Sequence, residues 1–171
     1  MSLYLTSTLV LVILSAITGL ALNLQWGLGG LINFGLFGFY MLSAYATGLL
    51  VHAGMTPVLA MLAALALTAL VSALVSQVAI RLSEDYLAIV TLGFAECLRI
   101  LVTNEEWLTR GVMGLAGITR PFSGACAGYS ADLVFLMFAL ACLLIVFAVY
   151  ELIARSPLGR TLRWIRDVPV V

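Results

Sequence analysis

The chain has 171 residues, 64 % hydrophobic and only 9 % charged, where soluble domains carry roughly 25 % charge. Its eight basic residues are all arginine and balance eight acids; the first charged residue is Arg81, so the opening eighty residues hold no formal charge apart from the amino terminus and a titratable His52. Such a chain cannot cover a soluble fold, lacks the basic face of a nucleic-acid binder and is too apolar to stay disordered, which leaves an integral membrane protein.

The length suits about five spanning helices of roughly 20 residues each. Residues 3–24 form the first. They lack the basic start of a signal peptide and read as a retained helix. Asn23, Gln25 and Trp26 close it, with Trp26 suited to a membrane interface. Gly27, Gly29, Gly30, Gly35 and Gly38 then crowd into twelve residues, with Asn33 among them. This pattern fits either very close helix packing or a discontinuous helix facing a substrate path. The apolar run continues to Val51, and His52 reads as a solvated loop histidine.

Pro57 opens the third span, residues 57–80. Ala60, Ala64, Thr68, Ser72 and Ser76 repeat every four residues along it, a small-residue stripe that predicts a helix buried in a bundle. A polar break at residues 81–85 leads to the fourth span, residues 86–103. Glu96 and Arg99 lie there on one face; they pair with each other, meet other helices or reach toward the interface. Residues 104–130 are the one long loop, with Trp107, Phe122 and Tyr129 as candidate surface anchors. The fifth span covers residues 131–154. Beyond it Arg160, Arg163 and Arg166 recur every three residues on one side of a short amphipathic helix, with Leu158, Leu162 and Ile165 elsewhere around it.

Arginine distribution places the C-terminal segment in the cytoplasm. Counting back puts the long loop outside, residues 81–85 inside, residues 51–57 outside, the Gly27 turn inside and Met1 outside. A re-entrant glycine stretch would reverse Met1. Cys97, Cys126 and Cys142 form no disulfide framework. With no lysine there is no phosphate-binding GxxxxGK[ST] loop, and one histidine excludes an HExxH metal site. No cofactor or metal is expected, and any ATP hydrolysis belongs to another chain.

Three stretches together resemble one family. The first runs from Gly19-Leu20-Ala21-Leu22-Asn23-Leu24-Gln25-Trp26-Gly27 through Gly30-Leu31-Ile32-Asn33-Phe34-Gly35 to Ser43-Ala44-Tyr45. The second is Asp85-Tyr86-Leu87-Ala88-Ile89-Val90-Thr91-Leu92-Gly93-Phe94-Ala95-Glu96 with Arg99, followed by the Leu108-Thr109 to Pro121 loop. The third is Ser156-Pro157-Leu158-Gly159-Arg160 through Arg163 to Asp167. In this order they resemble the membrane permease subunits of bacterial ABC importers for branched-chain amino acids, the LivM-like half of the pair.

The resemblance implies an all-α polytopic transmembrane bundle of about five spans with a glycine-broken second helix. Residues 1–154 would be a partial permease domain and residues 155–171 a cytoplasmic segment leading to the ATPase. It also implies a bacterial inner-membrane location, a LivH-like second permease subunit, two ATP-binding cassette subunits and a periplasmic substrate-binding protein. Asn33, Phe34, Gly35 and Gly38 become candidates for the substrate path, with Phe37 and Phe39 as further apolar lining. Glu96 and Arg99 form an intramembrane polar pair. Arg160, Arg163 and Arg166 lie at the ATPase contact or serve as anchors at the lipid surface. Family members are considerably longer, so this chain is expected to be a fragment or an early-ending reading frame. Arg110, Val112 and Met113 stand where the family commonly has Gly, Pro and Asn. The alternatives are a non-transporting membrane scaffold, a permease for another small solute such as urea, and a secondary transporter with Glu96 as its one candidate coupling carboxylate.

Overall fold

A computed structural model describes residues 2–79, 84–105, 109, 111, 114–118 and 129–167. Arg81, Trp107, Arg110, Val112, Met113, Phe122, Cys126 and the Val168–Val171 tail lie outside the described residues, as does the side chain of Tyr129. Among the described residues there is no strand. The helices are α1 (Ser2–Leu22), running on into a π turn (Asn23–Leu28), then α2 (Leu36–His52), α3 (Pro57–Ala79), α4 (Glu84–Asn104), α5 (Tyr129–Arg155) and α6 (Pro157–Asp167).

Four segments are long and apolar enough to cross a membrane: Tyr4–Leu28, Pro57–Gln77, Tyr86–Asn104 and Asp132–Arg155. The fifth, α2, has 17 residues, about 25 Å of helix against a hydrocarbon core of about 30 Å. It is short because the chain from Gly29 to Gly35 is not helical. The polar groups of these helices are satisfied locally. The hydroxyls of Thr8, Ser15, Thr18, Thr47 and Thr68 each donate to the carbonyl four residues back. In lipid no water is present to do this.

The chain forms two compact units, Met1–Leu31 with Phe122–Val171, and Ile32–Pro121. In the first, α1 packs along α5, and α6 packs on the end of α5 and on the π turn. Asn23 Nδ2 donates to Tyr150 Oη over 3.3 Å, which brings the C-terminal end of α1 to the C-terminal end of α5. The two helices therefore run parallel.

In the second unit α2 is the centre, with α3 and α4 packed on it. Ala60 and Ala64 are fully buried, as the small-residue stripe predicts. The stripe then runs out: Thr68 and Ser72 are half-buried and Ser76 is exposed. Leu59, Leu62, Leu65, Leu70 and Leu74 are exposed around the same helix. Within this unit α3 packs chiefly on α2, so it is buried on one side and not all round.

Candidate functional site

The glycine-rich stretch is where helix gives way to bare backbone, and each unit holds half of it. In the first unit α1 ends in the π turn, two residues beyond Trp26. Gly30 adopts φ +69, the left-handed conformation that glycine tolerates at a helix end. Its N–H donates to Trp26 O over 3.0 Å, and Leu31 N–H donates to Gln25 O over 3.3 Å. The orphan carbonyls of the helix end are thereby paired. Gln25 Oε1 is buried with no partner among the described residues.

In the second unit the chain re-enters helix through Asn33. Its Oδ1 accepts from Gly35 N–H over 2.8 Å, a local turn before α2. Phe34 N–H donates to Thr91 Oγ1 of α4 over 3.1 Å, and that hydroxyl donates in turn to Leu87 O over 2.8 Å. Thr91 is almost fully buried. It is the residue that sequence reasoning missed: a threonine in an apolar run carries no periodic signal, and its partner lies 57 residues away. Replacing Thr91 with valine keeps the shape and leaves Phe34 N–H unpaired, a loss of about 1–3 kcal/mol. Thermal melting of the detergent-purified permease should fall for Thr91→Val and be largely kept by Thr91→Ser; equal melting of valine and wild type would contradict the buttress.

Phe34 and Phe37 are exposed, and Phe39 lies against Phe94 with ring centroids 5.1 Å apart. Gly35 and Gly38 are buried in the crossing of α2 and α4. A Cβ on Gly38 would stand 2.9 Å from Ala95 Cα, and one on Gly35 would stand 2.9 Å from Asn33 Oδ1 and 3.3 Å from Thr91 Cβ. These two glycines therefore let α4 approach. Of the four candidate path residues, Phe34 is exposed and Asn33 half-buried. Gly48 plays a like part further along α2, where Leu115 and Ile118 of the loop fill the space beside it.

The C-terminal motif has a mechanical reading. Ser156 caps α6: its Oγ accepts from Gly159 N–H over 3.3 Å and donates to Ile153 O over 2.7 Å. Pro157 takes the first helical position. Gly159 is buried against the last carbonyls of α5. Arg163 Nη2 donates to Ala154 O over 2.6 Å, and Arg166 Nη1 donates to Gly27 O over 2.6 Å, with its stem lying against Gly30. Two of the three spaced arginines thus turn back onto the ends of α5 and α1. Arg160, Leu158 and Trp164 are exposed.

On α4, Glu96 and Arg99 pair with each other: Nε to Oε2 at 2.9 Å and Nη2 to Oε1 at 2.6 Å. Cys97 and Cys142 are free thiols. Among the described residues no group of His, Cys, Asp and Glu is placed to hold a metal ion.

Residues 4–171 match the family described as the permease component of branched-chain amino acid transport systems. Two curated relatives are high-affinity branched-chain amino acid transport system permease proteins LivM. The one from Salmonella typhimurium is 36 % identical over 95 % of this chain, and the one from Escherichia coli is 34 % identical over 95 %. In both comparisons the chain spans 43 % of the relative's length. No solved structure matches. A chain with no strand among its described residues and with several apolar spans, matched almost end to end by this profile, belongs to the permease components of branched-chain amino acid transport systems, which are multi-pass membrane subunits and not enzymes.

Proposed function

We propose that the chain forms membrane-spanning helices of a permease subunit in an ABC importer of the bacterial inner membrane, translocating branched-chain or related small amino acids. The match over residues 4–171 carries this reading. ATP is hydrolysed on two separate cassette subunits. A LivH-like second permease subunit completes the path, and a periplasmic binding protein delivers the solute. The charge-free opening of the chain suits a path for a solute with no net charge.

The break around Asn33 and Phe34 borders the path in this reading, while Gly35 and Gly38 support it from behind by admitting α4. The outward face of α6, with Leu158, Arg160 and Trp164 exposed, meets the ATPase. Arg163 and Arg166 hold that helix to the ends of α5 and α1.

Uptake by the assembled transporter tests the reading. Cells or proteoliposomes holding all components should accumulate labelled leucine only with ATP, and removal of this subunit should abolish it. Uptake that continues unchanged without the subunit overturns the assignment.

A further inference from the structure

The middle of a membrane span is where a charge is hardest to keep, and one pair on this chain sits there. Glu96 lies ten residues from Tyr86 and eight from Asn104, the ends of its span. Those separations are about 15 Å and about 12 Å of helix, which centres it in a core of about 30 Å. Arg99 is one turn further. In the other spans the formal charges are confined to Asp132, Glu151 and Arg155, all near the ends of α5.

The pair does not face its own unit. The packed side of α4 carries Thr91 and Ala95, which meet Gly35 and Gly38 of α2. Glu96 and Arg99 share a different stripe with Leu92 and Thr103, and their side chains remain 50 % and 62 % exposed. A charge turned to lipid at this depth costs at least about 2.5 kcal/mol on insertion scales. Pairing removes the net charge but not all the unused valences. A guanidinium has five donors, and Glu96 engages Nε and one N–H of Nη2. Each carboxylate oxygen accepts one of these bonds and keeps room for another. What remains is an outer edge of donors beside an outer edge of acceptors, with no net charge.

We propose that this pair contacts the head group of a zwitterionic α-amino acid during translocation, with the substrate ammonium on Glu96 and the substrate carboxylate on Arg99. The two charges of such a solute sit on one carbon. Laid antiparallel against the ion pair, they complete a rectangle of alternating charges and add no net charge to the span. A neutral solute such as urea cannot make that arrangement, nor can an analogue lacking either charge. The site reads the part common to all α-amino acids and leaves the side chain to apolar surface. The inference rests on the amino-acid importer reading and deepens it.

The test uses the complete transporter complex, purified in nanodiscs without the binding protein. Equilibrium binding is measured for leucine, leucinamide, which lacks the carboxylate, and 4-methylpentanoate, which lacks the ammonium. Wild type should prefer leucine over each analogue by roughly tenfold or more, the worth of a hydrogen bond to a charged group. Arg99→Gln should collapse the preference over leucinamide, and Glu96→Gln the preference over 4-methylpentanoate, each leaving the other largely in place. A purely structural pair would weaken all three ligands alike. Should a single variant fail to assemble, the neutral double variant Glu96→Gln/Arg99→Gln keeps shape and hydrogen bonding; it should assemble and bind leucine roughly tenfold more weakly. Wild-type leucine binding by the double variant overturns the proposal. So does loss of the second permease subunit from that variant, which would make the pair a subunit contact. Absence of leucine binding by wild type overturns it too, while ATP-driven leucine uptake by the same complex would leave the importer reading standing.

Discussion

Gly159→Ala should release α6 from the ends of α1 and α5 and sharply reduce transport by the proposed importer. A methyl at this position overlaps the Ile153 carbonyl oxygen and comes within 2.7 Å of Ala154 O. Both are backbone atoms at the end of a spanning helix and have nowhere to move. Overpacking against such atoms costs about 1–3 kcal/mol or more, and the simplest relief is for α6 to swing away. That movement would also break Arg163 to Ala154 O and Arg166 to Gly27 O, leaving two helix-end carbonyls without their arginines. Trypsin added to inside-out vesicles reads the change. Cleavage after Arg163 and Arg166 should quicken severalfold in the variant, and leucine uptake should fall by about tenfold or more, the scale of a loss above roughly 1.4 kcal/mol. Wild-type cleavage rates would mean that the turn tolerates a side chain.

Gly38→Leu should cost the second unit its central crossing. The first added carbon stands 2.9 Å from Ala95 Cα and 3.1 Å from Ala95 Cβ, so α2 and α4 cannot keep their separation. In membranes, close approach through small residues is a principal source of helix association. The expected outcome is a lower yield of folded permease and loss of uptake together. Gly38→Ala should show a milder version, about 1–3 kcal/mol, visible as reduced melting in detergent. A leucine variant with wild-type yield and melting but no uptake would show that Gly38 lines the path directly.

Composition revealed the membrane, and apolar runs revealed the helices, because both signals survive averaging over twenty residues. The three-residue spacing of Glu96 and Arg99 put them on one face and left open whether they pair, meet other helices or reach toward the interface; the structure pairs them. Three features left no such mark. The π turn adds a register step within a run where nearly every residue is apolar, so periodicity placed the end of the first helix at Leu24 while the structure carries it to Leu28. Thr91 acts through a backbone N–H 57 residues away, which no local pattern encodes. The spacing of Arg160, Arg163 and Arg166 put them on one side of α6 but could not say which way that side faces. Only the position of α6 against the ends of α5 and α1 shows Arg163 and Arg166 bonding back to the carbonyls there.

The parallel course of α1 and α5 has an electrostatic consequence. Aligned peptide dipoles leave about half a negative charge at a helix C-terminus, and parallel neighbours place these charges side by side, where they repel. The repulsion would favour splaying the two ends apart. Arg163 and Arg166 each bring a full positive charge to one of them, at Ala154 O and Gly27 O. An arginine pattern read as a guide to membrane orientation is therefore also a counter-charge for two macrodipoles. Neutralising either arginine should loosen the helix ends even where lipid contacts are unchanged.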